Sequence, residues 1–246
     1  RQEHDAWRGS QHALAMQIAT ERSVLGDFRD VRFTDGAVTS TFTQRTDGYW
    51  VRTDGPDGKL ADFRVKYTFG VYPLQQYLIE MPDGRVQALS IAWDARPRER
   101  GGQRWLHLYP GQGIEHTSEL HWSGLQQNWN FMCADCHSTN VRKGYDAASN
   151  RFSTTWSEID VSCEACHGPA SRHVAWAGRP RWLSALLSRD HGLSAPLGER
   201  RGVAWTIDAT TGTARRSVPP ARRSEVETCA PCHSRRTQIA SSYTAG

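Results

Sequence analysis

Three five-residue segments contain every cysteine of the chain: Cys133-Ala-Asp-Cys136-His137, Cys163-Glu-Ala-Cys166-His167 and Cys229-Ala-Pro-Cys232-His233. Two thiols three residues apart can add across the two vinyl groups of one porphyrin as thioethers. The histidine that follows then meets the iron through a ring nitrogen. The pattern is a covalent clamp with an axial ligand, and three copies predict three covalently bound haem c groups.

Zinc needs two Cys-x-x-Cys pairs about 15–20 residues apart to close one tetrahedral site. Here the first two pairs are separated by residues 137–162, and the third pair would be stranded. A zinc ribbon also gives no reason for a histidine after each second cysteine. A redox dithiol fails on the same count, and no strand-then-helix unit frames these pairs.

Bulk properties agree with a folded carrier of such groups. A chain of 246 residues can bury a real core as one large domain or two small ones. No apolar run approaches the roughly 20 residues needed to span a bilayer. The formal charge is +4. About six haem propionates would cancel it, so the charge is no argument for nucleic acid. Haem attachment to such pentads takes place outside the cytoplasm in bacteria, and no cysteine remains for a disulfide. An exported, periplasmic location follows. The chain shows no signal region before Arg1 and reads as processed or as part of something longer.

The expected fold class is α+β: a small antiparallel β-hairpin subdomain plus a loop- and helix-rich multihaem region with little regular structure. Three segments are predicted. Residues 1–30 carry an N-terminal helix, read over 2–20 from Trp7, Leu14 and Ile18, packing on the haem region. Residues 31–110 form the hairpin subdomain. There Asp-Gly pairs at 35–36, 47–48, 54–55, 57–58 and 83–84 punctuate runs such as VTSTFTQ, YWVRTD and DFRVKYTFG. Residues 111–246 hold the pentads. Within them, 170–190 reads as helix interrupted by Gly178 and Pro180, and VAWTID with TARRSV reads as a further hairpin ending at Pro219-Pro220.

His137, His167 and His233 supply one axial ligand each. The sixth position decides whether an iron carries electrons or binds a substrate. The methionines are only Met16, Met81 and Met132, and Met132 abuts Cys133, so bis-histidine ligation is favoured. Seven histidines remain. His12 and His173 are candidate distal ligands, with His121 and His107 weaker ones, and His4, His116 and His191 read as surface residues. On the residues alone, His12 and His173 also read as solvated helix histidines.

The order of WRGSQH, YTFGVYPLQQYLIE, ALSIAWD, NWNFMCADCHSTN, TTWSEIDVSCEACHGP and ETCAPCHSRR resembles bacterial multihaem cytochromes c. That group is related to the tetrahaem cytochromes of hydroxylamine oxidation and is often fused to tetratricopeptide repeats. The resemblance implies that His12 and His173 are distal ligands. It also implies a further haem pentad before Arg1, and more chain after Gly246 in which a tetratricopeptide-repeat region would lie. Where Ala170 stands, the family commonly has glycine.

The function expected is electron transfer between redox partner proteins through closely packed, mainly bis-histidine haems. The alternative is a haem enzyme with one open axial site acting on a small nitrogen or sulfur species, with His107, His116, His121, Tyr109 or Arg104 as proton donors. A third reading is a redox-sensing or scaffolding module. Arginine pairs at 215–216, 222–223 and 235–236 are either a solvated face or a docking surface for an acidic partner.

Overall fold

A computed structural model of the chain describes residues 2–180, 182–183, 190–219 and 223–234. It divides into two compact units, residues 1–162 and 163–246.

The first unit is built on a nine-stranded antiparallel sheet. Its main path runs β2 (Arg29–Asp35), β3 (Val38–Arg45), β4 (Gly48–Asp54), β5 (Leu60–Phe69), β6 (Leu74–Glu80), β8 (Ile91–Asp94) and β9 (Arg104–His107). Off this path, β1 (Met16–Ile18) pairs with β5, and β7 (Val86–Ala88) pairs with β6. The Asp-Gly pairs lie in the turns, as the sequence predicts. Gly84 shows why glycine is needed: its φ is +82°, and a Cβ there would sit 2.1 Å from the Phe152 carbonyl oxygen.

The sheet is larger than the small hairpin subdomain expected. A stack of hairpins leaves two open edges and one apolar face uncovered, whereas curling removes both. The end strands β2 and β9 come into contact, so the sheet is nearly closed. Trp105 of β9 makes the closure: its ring stacks on Phe42 at 3.7 Å, meets Phe28 edge-on at 5.4 Å, and its Nε1 donates to the Asp27 carbonyl. Phe28, Phe42, Tyr49, Val51, Tyr77 and Trp93 fill the interior with it.

The N-terminal segment also differs from the expected helix. Only α1 (Gln2–Arg8) is helical, and β1 follows as a strand. Gly9-Ser10 break the helix, and the Ser10 hydroxyl accepts the Ala13 N–H. Pairing Met16 with Phe69 of β5 then buries Met16 completely, which a helix through this position would not do.

Two strands hand the fold from the barrel interior to a second core outside it. Tyr77 and Ile79 of β6 point inward, while Leu78 between them points outward, following the period of two. In β5 a bulge between Val65 and Tyr67 does the same, leaving Val65 in the first core and Tyr67 in the second. The outer core gathers Met16, Tyr67, Leu78, Val86 and Ala88 with Trp129 and Ala134.

The second unit has little regular structure: α4 (Cys163–His167), α5 (Ser171–Ala177), a hairpin of β12 (Trp205–Ile207) and β13 (Ala214–Arg216), and α6 (Ser224–His233). The hairpin lies where the sequence places it. Of the predicted 170–190 helix, residues 181 and 184–189 lie outside the described residues, as does Pro220. Among the described residues no helix is long and apolar enough to cross a membrane.

Replacing Trp105 with alanine removes the ring that joins the two ends of the sheet. The expected cost is about 3–5 kcal/mol of unfolding free energy. Chemical denaturation followed by tryptophan fluorescence measures it, and a loss below about 1 kcal/mol would refute the closing role.

Candidate haem-anchoring site

Each pentad is folded as a single helical turn. In the first, Cys133 is the N-cap of α3 (Ala134–His137); in the second, α4 is the pentad itself; in the third, the pentad closes α6. Helical spacing i, i+3, i+4 puts both sulfurs and the imidazole on one face. None of the six cysteines is in a disulfide.

The first pentad is positioned by the stretch before it. In α2 (Trp129–Met132), the Asn128 side chain caps the helix by accepting the Phe131 N–H at 3.1 Å. Trp129 is wholly buried and packs edge-on against Trp156. Asn130 uses its whole amide: Oδ1 accepts the Val86 N–H at 2.7 Å, and Nδ2 donates to the Gly84 carbonyl and the Thr154 hydroxyl. The helix is thereby bolted to β7 and to the turn before it. Tyr145–Asp146 and Arg151–Phe152 pair as a further short hairpin, β10–β11, and Phe152 donates its N–H to the Asp83 carbonyl at the same turn.

Beyond the pentad, Ser138 Oγ donates to the Ile159 carbonyl, and Thr139 Oγ1 donates to the Asp160 carbonyl while accepting the Ser162 N–H. The exit of the first pentad is thus laced to the entry of the second. Trp7 Nε1 donates to the Val161 carbonyl, and the Val161 N–H donates to the His12 carbonyl at 3.2 Å. The backbone of His12 is therefore fixed beside that entry, with the residue itself exposed.

Two of the thiols are pushed toward their neutral form. Burial, helped by the neighbouring charge of Cys136, pushes the Cys133 thiol up to about 12. Cys166 is raised by burial, then by the charges of Cys229 and Cys163, so the second and third pentads lie close enough to sense each other. A zinc cage or a reactive dithiol needs thiolate and a lowered pKa. Among the described residues no three His, Cys, Asp or Glu side chains converge as a metal cage. An uncharged thioether suits the half-buried positions of Cys133 and Cys166.

The imidazoles fit the axial role in distinct ways. His137 packs against Phe69 at 4.2 Å, and burial favours its neutral ring, a bias the Ala15 backbone only partly offsets. The Ala15 carbonyl also accepts the Gly70 N–H at 2.9 Å, and His137 Nδ1 is buried without a hydrogen-bond partner of its own. His167 Nδ1 lies 2.9 Å from the Ala195 carbonyl, and His173 Nδ1 lies 2.8 Å from the His191 carbonyl. A carbonyl can only accept, so Nδ1 carries the proton in both rings and Nε2 presents its lone pair.

His121 has both nitrogens engaged. Nδ1 accepts from the Ser123 N–H and lies 2.7 Å from its hydroxyl, so Nε2 carries the proton and donates to Asp54 Oδ2 at 3.1 Å. It is buried against the barrel. His107 and His121 line one small cavity there, together with Asp35, Asp54 and Ser90, and no pentad residue lines it. The other proton-donor candidates do not join them. His116 lies against Gly58, Tyr109 accepts a hydrogen bond from Gln127, and Arg104 donates to the Gly101 carbonyl.

The second unit has its own evidence of fit. Among its described residues Ala195 is the one buried apolar side chain, while Val174, Trp205, Ile207 and Val226 are each more than half exposed. Porphyrin faces are large apolar surfaces, and side chains of this kind are suited to cover them. Arg215 pairs with Asp208 at 2.6 Å, and Arg216 lies over the Trp205 ring and donates to the Glu199 carbonyl. Arg223 is exposed, and Arg222, Arg235 and Arg236 lie outside the described residues.

The sequence signature of the family described as cytochrome c554 and c-prime matches residues 108–168, about a quarter of the chain, including the first two pentads. The match supports a c-type cytochrome that binds haem covalently and carries electrons. No curated protein and no solved structure matches the chain.

The Asp54–His121 pair makes a pH prediction. Burial alone would raise the Asp54 carboxyl, but the hydrogen bonds from His121 and the Thr53 hydroxyl hold it below its ordinary value. A depressed folded pKa gives stability that is present above the unfolded value and lost as pH falls through the folded one. Asp54→Asn should cost about 1.5–3 kcal/mol at neutral pH and flatten the acid limb of the stability profile. Denaturation curves between neutral pH and about pH 3 test this, and an unchanged acid limb would refute it.

Proposed function

We propose that the chain is the three-haem part of a periplasmic multihaem cytochrome c that passes single electrons between redox partner proteins. The observation that carries this reading is the threefold recurrence of one helical turn presenting two cysteine sulfurs and an imidazole on one face. Cys133 and Cys136, Cys163 and Cys166, and Cys229 and Cys232 would each hold one haem, with His137, His167 and His233 as axial ligands. The haem supplies a one-electron iron couple, and the chain's residues set its ligands, burial and surroundings.

We assign His173 as a distal ligand, because its proton is tied to the His191 carbonyl and its Nε2 lone pair is free to bind iron. His12, held beside the entry to the second pentad, is the second distal candidate. His121 is assigned instead to the barrel, where both of its nitrogens are used. The influence of Cys229 on Cys166 places the second and third pentads near each other and supports close haem packing in the second unit.

Expression with haem maturation should give a polypeptide whose denatured mass includes three haems and which retains Soret absorbance. A haem-free mass would end the proposal. His173→Ala should convert one haem from low-spin to high-spin in the ferric spectrum, and an unchanged spectrum would remove His173 from the ligand set.

A further inference from the structure

We infer that the short loop from Asp190 to Ala195 is a shared clamp that orients two haem-ligand imidazoles at once and sets the potentials of their irons together. This rests on the reading of His167 and His173 as axial ligands. His167 ends α4 and His173 lies on α5, yet both Nδ1 protons go to carbonyls of this one loop, at Ala195 and His191.

The loop is built for the task. Ala195 grips His167 twice, since its N–H also donates to the His167 carbonyl at 3.2 Å. It is buried, which keeps water from competing for that carbonyl. At the other end the backbone takes left-handed values at two consecutive residues, φ +57° at His191 and +74° at Gly192. This turn aims the His191 carbonyl at His173. It is closed by Asp190, whose carbonyl accepts the Leu193 N–H and whose carboxylate accepts the Gly192 N–H at 3.3 Å. Gly192 runs so close to α5 that a Cβ would lie 2.7 Å from the Arg172 carbonyl and 3.0 Å from the His173 nitrogen. Trp176 stacks on both His173 and His191, at 5.6 and 4.6 Å, and fixes the angle of the ring.

A hydrogen bond from Nδ1–H to a carbonyl gives the imidazole more anionic character and makes it a stronger donor to oxidised iron. Moving the loop therefore weakens two donors in concert. The residues of the loop are positioning residues, and none touches the iron.

The test is Gly192→Ala in the haem-loaded protein, read by redox potentiometry with low-temperature electron paramagnetic resonance. The added methyl must push the loop off α5. The haem lost in the Cys163→Ala/Cys166→Ala variant and the haem turned high-spin in His173→Ala should both move to more positive potential. The expected shift is on the order of a tenfold change in the oxidation equilibrium, about 59 mV for one electron. The haem lost in Cys133→Ala/Cys136→Ala, anchored in the first unit, should stay.

Should Gly192→Ala fail to mature, Asp190→Ala loosens the same turn and should give the same joint shift, with Asp190→Asn restoring it. Unchanged potentials, or movement of the His173 signal without that of the Cys163/Cys166 haem, would overturn the clamp. Failure of His173→Ala to produce a high-spin haem would instead overturn the ligand assignment beneath it.

Discussion

A pentad wound into one helical turn offers its two sulfurs and its imidazole on a single side. It can hold a porphyrin by one edge and one face, but it cannot fix the tilt of the ring or cover the opposite face. Those tasks fall to residues elsewhere in the chain, and most of the fold answers to them. The two units answer differently because they have different apolar resources.

In the first unit the solution is a rigid body. The near-closed sheet completes its own interior with aromatic side chains and then spends its outer face on a second core, where Leu78, Tyr67 and Met16 meet Trp129 and Ala134. Asn130 is the bolt between the two. A buried amide that satisfies both of its hydrogen-bonding ends is demanding in geometry, so it locks α2, and through it Cys133, to β7. The second unit lacks such a core among its described residues. There the imidazoles are held from the backbone, by carbonyls of one loop.

Chemistry was more legible in the sequence than architecture, for a physical reason. Haem attachment is a local requirement of fixed spacing, so three pentads could be read residue by residue. The Asp-Gly turns were legible too, because positive φ is a local demand that glycine meets. What could not be read was whatever depends on pairing across long separations. Met16–Ile18 looked helical by periodicity, and only the exposed edge of β5, some fifty residues later, makes it a strand. The curl of the sheet depends on Trp105 meeting Phe42, and nothing near either residue announces it. The Asn128-Trp129-Asn130 triplet was visible as part of a resemblance, but its cap, anchor and bolt roles appear only once the turn at Gly84 is in place. His121 had the right chemistry for a ligand, and the partners that occupy its two nitrogens lie on different parts of the chain.

Neutrality is the thread that connects these solutions to electron transfer. Taking an electron changes the charge of a haem by one unit, and a site costs least to operate when its surroundings need not rearrange in response. The Cys133 thiol pushed toward its neutral form, the His167 and His173 protons assigned to fixed carbonyls, and Arg215 already paired with Asp208 are groups that need not rearrange when the iron changes state. The lone Nδ1 of His137 stands apart from the other two, since it has an aromatic neighbour where they have an acceptor.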